Sequence, residues 1–121
     1  MNILTWLGVV LIGGTGSVLR FLVDRAVSER TGRALPLGTL TVNITGSVLL
    51  GLVAGLALNH DEALLAGTAA VGSFTTFSTW MLESQRLGEE RQMGVAAANI
   101  VVSVVLGVAA VTLGQTIGAH L

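Results

Sequence analysis

The segment VGSFTTFSTW, from Val71 to Trp80, decides the fold of this chain. It interleaves five hydroxyl side chains with three aromatic rings in the middle of an uncharged apolar run. Glycine, serine and threonine are poor helix formers, because glycine is too free and the hydroxyls compete for backbone hydrogen bonds. We therefore predict that a helix breaks here. The alternative is a continuous helix, kinked at Gly72, whose hydroxyls bond back to their own carbonyls.

The composition around this segment is that of a membrane protein. Of 121 residues, 52% are hydrophobic and 11% are charged, whereas an average soluble domain is roughly 25% charged. The chain has no cysteine and a net charge of -1, so it offers no disulfide framework and no basic patch for nucleic acid. The apolar amino terminus lacks the positive start of a signal peptide, and we interpret it as a retained helix.

Four windows have the apolar length, about 20 residues, that a bilayer crossing needs. They leave no segment for a soluble domain, so residues 1–121 are predicted to form a single four-helix transmembrane domain. A soluble bundle would need a solvent-facing surface, which four windows with Arg20 as their single charged residue do not provide. Four short helices also leave little room for an internal pathway, so we expect an oligomer. The windows span approximately residues 3–23, 37–58, 63–82 and 95–119.

The basic residues predict how the chain lies in the membrane. All of them are arginines; Arg20 lies near the end of the first window, and the others follow the first or the third window. The amino terminus, the connection NHDE and the carboxyl terminus carry none. Under the positive-inside rule both termini are expected outside the cytoplasm. The arginines are Arg20, Arg25, Arg30, Arg33, Arg86 and Arg91.

Neutral polar side chains inside the windows indicate what the domain conducts. Thr39, Asn43 and Ser47 recur every four residues and share one helix face, and Asn99 and Ser103 repeat that spacing. Such groups are costly in a membrane unless they pair between helices or face a watery path. No carboxylate lies inside a window to relay protons. Amide and hydroxyl donors, with aromatic ring edges, therefore favour a passive conduit for a small anion.

Two other functional classes are not supported. His60 lies in a connection and His120 at the terminus, and neither stands at a spacing that suggests a nucleophilic pair or a metal cluster. We therefore predict that the protein is not an enzyme. A small multidrug exporter, the remote alternative, needs a glutamate inside the first helix, and this window has none.

Three motifs resemble those of the Fluc (CrcB) family of small fluoride channels. They are GGTGSVLR ending at Arg20, PLGTLTVNITGSVLLG from Pro36 to Gly51, and GSFTTFSTWMLE from Gly72 to Glu83. Together they are highly specific and cover all but the fourth window. The resemblance implies an all-α membrane protein of four transmembrane helices with the third helix broken. It also implies an antiparallel dimer with two pores that exports fluoride passively across the bacterial cytoplasmic membrane, which limits fluoride toxicity.

The resemblance also assigns roles by position. Asn43 matches an asparagine that donates to fluoride, Phe77 and Trp80 match paired pore aromatics, and Ser78 and Thr79 match a hydroxyl dyad. A narrow path must replace the water of a strongly hydrated ion with donors. A fixed cation would offset the repulsion of an anion from a low-dielectric core. The other assignments are Ser103 on the polar track, Glu83 after the dyad, Arg20 at the vestibule, and the carbonyls of Gly72 and Thr75 as ligands of a central structural sodium ion.

The chain departs from the family pattern in three ways. Trp80 stands where the family usually has phenylalanine, and Gly107 stands where a further hydroxyl is expected. The arginine bias also opposes insertion of one sequence in both orientations. Two assemblies therefore stay open. One is a dual-topology homodimer, and the other is a heterodimer with an oppositely oriented paralogue, in which this subunit need not conduct alone.

Overall fold

The structure is a computed structural model that describes residues 2–32 and 35–121. All regular structure in these residues is helical, and we number five helical segments in chain order. Arg33, one of the arginines that predict the orientation, lies outside the described residues. The segments are α1 (Ile3–Thr31), α2 (Leu37–Leu56), α3 (the consecutive stretches His60–Ala63, Leu64–Val71 and Gly72–Phe74), α4 (Ser78–Glu89) and α5 (Met93–Ala119).

Helices α2 and α5 form the closest contact in the bundle. Four glycines line it, and we call this contact the glycine seam: Gly51 and Gly55 on α2, and Gly114 and Gly118 on α5. A methyl group on any of them would strike the backbone of the opposite helix. Each pair is separated by three residues, the small-xxx-small spacing that lets membrane helices approach closely. The seam therefore needs glycine on both of its sides.

The two ends of the bundle differ in charge. At one end the Thr5 hydroxyl donates to Asp61 Oδ2 at 3.4 Å, which links the start of α1 to the start of α3. At the other end Arg25 of α1 and Arg86 of α4 line a common cavity of about 390 Å³. Arg25 and Arg86 therefore lie at the same end of the bundle, together with the acidic residues Asp24, Glu29 and Glu83.

Among the described residues three helices are long and apolar enough to cross a membrane, namely α1, α2 and α5. Helix α1 continues beyond the first hydropathy window, past Val23, and ends where Gly32 adopts a φ of 78°. The extension is polar, with Arg25 Nε 2.9 Å from Glu29 Oε1. Hydropathy measures the length that a bilayer covers, whereas the helix ends only where its hydrogen bonding ends. For this reason the helix is longer than the window.

The third window contains the end of α3 and the start of α4. Helix α3 has π-helical geometry over Leu64–Val71, so that the Gly72 N–H donates to the Gly67 carbonyl. Thr75 then has an extended backbone, with φ -82° and ψ 164°, and α4 starts at Ser78. We call residues 75–77 the junction. Helix α4 has 12 residues, fewer than the about 20 that a bilayer crossing needs.

Candidate functional site

Asn43 holds the backbone of the junction. Its Nδ2 donates to the Thr76 carbonyl, and its Oδ1 accepts from the Thr76 N–H, both at 2.8 Å. In an uninterrupted helix this N–H would donate to the Gly72 carbonyl, four residues earlier. One amide side chain of α2 therefore satisfies both backbone groups of Thr76, and the Gly72 carbonyl loses its usual donor.

The side chain of Thr76 supports the start of α4. Its Oγ1 accepts from the Thr79 N–H at 3.2 Å, as a cap residue does for the free N–H groups of a first turn. The Thr75 carbonyl, the usual acceptor for that N–H, accepts from Arg20 Nη1 at 3.3 Å. Thr76 is not among the residues predicted from the sequence. A threonine three residues before a helical N–H is a capping signal that could have identified it.

The two aromatic rings near the junction touch each other. Phe77 and Trp80 meet edge to face, with ring centroids 5.7 Å apart and an interplanar angle of 81°, an arrangement that aromatic quadrupoles favour. Trp80 Nε1 also donates to the Asn99 carbonyl of α5 at 3.2 Å. Phe77 is 71% exposed. Trp80 is thus anchored within the subunit, while Phe77 projects from it.

A cavity of about 530 Å³ lies between α2, the junction and α5, and we call it the main cavity. Four of the predicted pore residues line it, one each from α2, the junction, α4 and α5. Gly107 also lines it, and a Cβ there would meet only Ser47 Oγ, at 3.8 Å. The position therefore has space for a side chain. The four predicted residues are Asn43, Phe77, Trp80 and Ser103.

The remaining predicted residues lie around the junction, and of these only Thr75 also lines the main cavity. Arg20 and Thr79 line a second cavity of about 190 Å³, together with Asp24 and Thr39. Thr76 borders both cavities, so its pairing with Asn43 forms part of the wall between them. Ser78 is exposed, and Gly72 and Thr75 line another cavity of about 380 Å³.

A buried polar network links α4 to α5. Asn99 Nδ2 donates to Ser84 Oγ at 2.8 Å, and Ser84 Oγ donates to the Trp80 carbonyl at 2.9 Å. The spacing of Asn99 predicted a polar helix face, whereas Ser84 lies after the third hydropathy window, which ends at residue 82. The contact between Ser84 and Asn99 was therefore not predicted.

Two buried oxygens near the second cavity lack a hydrogen-bond partner among the residues that the structure describes. They are Thr39 Oγ1 and Glu83 Oε1. Glu83 was assigned by resemblance to follow the hydroxyl dyad, and it lies in the second turn of α4. Its carboxyl group borders the cavity of Arg25 and Arg86 and not the main cavity.

The carbonyls predicted to bind sodium are suited to a hard cation. In a regular helix the carbonyls of Gly72 and Thr75 would accept from the N–H groups four residues later. Here the Thr76 N–H donates instead to Asn43, and the Thr79 N–H donates to Thr76 Oγ1. Carbonyl oxygens freed at a helix break are common ligands of Na⁺. The Thr75 carbonyl already accepts from Arg20, so a cation would share this oxygen with the guanidinium. In the described part of the chain no group of His, Cys, Asp and Glu residues could hold a metal.

A helical bundle with three membrane-length helices among its described residues defines a multi-pass membrane protein. The chain belongs to the CrcB-like protein, Camphor Resistance (CrcB), family, whose pattern matches residues 7–115. This confirms the resemblance drawn from the three motifs.

Similar proteins bear the name of a channel. The chain is 69% identical over 117 residues to the fluoride-specific ion channel FluC 2 of Mycobacterium tuberculosis, which covers 97% of this chain and 93% of the relative. It is 46% identical over 106 residues to FluC 1 of Nocardia farcinica, covering 87% and 75%. It is 40% identical over 124 residues to FluC 2 of Cutibacterium acnes, covering 97% and 99%. These names describe channels, which confirms the prediction that the protein is not an enzyme.

Proposed function

We propose that this protein is a subunit of a fluoride-selective channel through which fluoride leaves a bacterium passively across the cytoplasmic membrane, limiting its toxicity. The names of the relatives support the choice of ion. The observation that carries the proposal is the main cavity, where the Asn43 amide, the Phe77–Trp80 pair and Ser103 meet. No acidic side chain lines this cavity among the described residues, which suits an anion.

The lining of the main cavity can replace the water around a small anion. Asn43 uses one of its two Nδ2 hydrogens on Thr76, and the second remains to donate. Ser103 adds a hydroxyl, and the rims of Phe77 and Trp80 carry the positive part of the ring quadrupole. Ser78 and Thr79 lie in the first turn of α4, where the helix dipole also favours negative charge. Together these groups would replace the water that fluoride loses when it enters the cavity.

We infer that α3 and α4 together make the third crossing of the membrane. Helix α3 ends at Phe74 and α4 continues from Ser78 toward the arginine-rich end. With α1, α2 and α5 they would provide the four predicted crossings. Irregular backbone at membrane depth is tolerated where it is buried in protein or lines a cavity. The hydrogen bonds from Asn43 and Arg20 to the junction meet that condition.

Sodium is proposed as a structural ion held by the carbonyls of Gly72 and Thr75, with a second subunit completing the site. When bound, it supplies a fixed positive charge that attracts the anion in a low-dielectric core. Arg20 supplies a positive charge from the chain itself at the same Thr75 carbonyl. We therefore expect Arg20 to support the junction whether or not a cation is present.

The proposed assembly is an antiparallel dimer, either a dual-topology homodimer or a heterodimer with an oppositely oriented paralogue. The exposure of Phe77 beside the main cavity favours a partner that completes the wall. Relatives are named both FluC 1 and FluC 2, as expected where two paralogues occur. The gathering of arginines at one end favours a single orientation, and hence the heterodimer.

Reconstitution of the purified chain in liposomes tests the proposed ion. Liposomes loaded with fluoride, with valinomycin to balance charge through K⁺, are expected to release fluoride rapidly and chloride slowly. Chloride release as fast as that of fluoride would overturn the selective assignment. Release of neither ion, even with an oppositely oriented paralogue present, would overturn the channel assignment.

Topology reporters test the assembly. Two reporters are fused in turn to the carboxyl terminus, one active only in the cytoplasm and one active only outside it, and both are expected to give signal for a dual-topology homodimer. Signal from one orientation alone, with fluoride release only when the paralogue is added, would establish the heterodimer.

A further inference from the structure

The indole of Trp80 has a single N–H donor, and in this structure that donor points at protein. Nε1 lies 3.2 Å from the carbonyl of Asn99 on α5. This carbonyl belongs to a continuous helix and also has the Ser103 N–H as its usual partner. A carbonyl oxygen has two lone pairs and can accept both bonds. The ring lines the main cavity while its donor is engaged outside the ion path.

The network behind this contact is closed and buried. Asn99 Nδ2 donates to Ser84 Oγ, and Ser84 Oγ donates to the Trp80 carbonyl. The exposed fractions of Asn99 and Ser84 are 5% and 6%. Buried amides and hydroxyls are costly when left unpaired. The three hydrogen bonds that join Trp80, Asn99 and Ser84 therefore have one low-energy arrangement. It fixes α4 against α5 at the residue that carries the indole.

The ring of Trp80 in turn contacts Phe77. The pair meets edge to face with centroids 5.7 Å apart, and Phe77 is otherwise largely exposed. Any rotation of Trp80 about its side-chain bonds would therefore change both aromatic walls of the main cavity. Phenylalanine at position 80 could keep the ring contact, but it has no N–H to hold the ring against α5.

We propose that Ser84 and Asn99 are positioning residues that hold Trp80 at the wall of the main cavity, and that the indole N–H serves α5 and not the anion. This inference rests on the proposed function of the cavity. It distinguishes the chain from relatives with phenylalanine at this position, because the tryptophan brings an anchor rather than an additional anion ligand.

Vibrational spectroscopy of the indole tests the first half of the proposal. The chain has two tryptophans, so Trp6→Phe leaves Trp80 as the only reporter. We expect the N–H marker band in ultraviolet resonance Raman spectra to indicate a hydrogen-bonded indole without fluoride, and to stay unchanged at saturating fluoride. A free indole N–H, or a band that shifts with fluoride, would overturn the proposal.

A double-mutant cycle tests the second half. Ser84→Ala is expected to slow fluoride release about fivefold, because residues in one hydrogen-bonded network are energetically coupled. When Trp80→Phe is already present, Ser84→Ala is expected to change the rate by less than about twofold, since the anchor is already lost. Equal effects of Ser84→Ala in both backgrounds would reject the positioning role, because a merely structural serine would act independently of the indole.

Two controls keep the tests separate. Thr116→Ala removes an exposed hydroxyl that only bonds back to the Thr112 carbonyl, and it should leave the release rate unchanged. Ser84→Thr keeps the hydroxyl and should release fluoride at the parent rate. If Ser84→Ala does not fold, the Raman measurement alone decides the proposal. A hydrogen-bonded indole in a chain that releases no fluoride, even with an oppositely oriented paralogue present, would reject the proposed channel. A free indole in a conducting chain would reject only the anchor.

Discussion

The glycine seam and the junction stabilise the same bundle by different interactions. At the seam, α2 and α5 pack backbone against backbone, and the absence of side chains makes the contact possible. At the junction, side chains of α1 and α2 bond to backbone groups that the chain has released from helical pairing. The seam tolerates no added atom, whereas the junction tolerates no lost donor or acceptor. The comparison predicts opposite responses to added bulk and to lost hydrogen bonds.

Added bulk at the seam should have the largest effect. Gly51→Leu places a side chain against the Val111 carbonyl, and the helices must separate to accept it. Overpacking costs about 1–3 kcal/mol and occasionally more, and here the obstacle is backbone that cannot rotate away. We expect loss of the folded protein, measured as the monodisperse fraction in size-exclusion chromatography after extraction in detergent.

The control for the seam is Gly94→Ala, at a position on α5 outside the seam. A Cβ at Gly94 would meet nothing within 4 Å, so this variant should fold as well as the parent. Equal yields for Gly51→Leu and the parent would show that α2 and α5 do not pack as described.

Loss of the Asn43 amide should have the next largest effect. Asn43→Ala leaves the N–H and the carbonyl of Thr76 without their partner, and each unsatisfied buried group costs about 1–3 kcal/mol. We expect the thermal midpoint to fall and fluoride release to fall by at least about tenfold, which corresponds to 1.4 kcal/mol. Both are measured on the same preparation, by thermal unfolding and by a fluoride electrode.

The control for Asn43 lies on the same helix. Thr41 is exposed, and its hydroxyl bonds only to the Leu37 carbonyl, so Thr41→Ala should change neither property. If Asn43→Ala were as stable as Thr41→Ala but released no fluoride, Asn43 would act on the ion alone and not on the junction.

Loss of the Thr76 cap should have a smaller effect. Thr76→Val keeps the shape of the side chain but removes the oxygen that accepts from the Thr79 N–H. Replacing a capping residue costs about 1 kcal/mol, so we expect a moderate loss of stability. Amide hydrogen exchange should be faster at Thr79. Thr76→Ser keeps the oxygen and should exchange at the parent rate, and equally fast exchange in the two variants would exclude the cap.

The seam and the junction also differ in how much the sequence predicts of them. Spacing alone identifies Gly51 and Gly55 as a packing pair, because both lie on one face of one helix. The hydroxyl-rich segment likewise predicts where regular helix ends. The residues that hydrogen-bond to this segment could not be predicted. Asn43 and Thr76 are 33 positions apart, and no periodicity within α2 indicates which face meets the junction. Ser84 was missed because hydropathy locates the edge of a membrane window, whereas α4 continues past it with a polar side against α5.

A substitution at Gly107 should have the smallest effect and sharpens the comparison, because this glycine lines the main cavity without belonging to the seam. A Cβ there would meet only Ser47 Oγ at 3.8 Å, so Gly107→Ser should fit without moving α2. Substitutions at uncrowded sites usually change stability by less than about 0.5 kcal/mol. The new hydroxyl would lie near Ser103 on the cavity wall, and we expect fluoride release to rise by up to about threefold, or 0.6 kcal/mol. If Gly107→Ser instead unfolded the chain as Gly51→Leu is expected to do, the close packing of α2 and α5 would extend along the cavity, and the space assigned to the ion would belong to the seam.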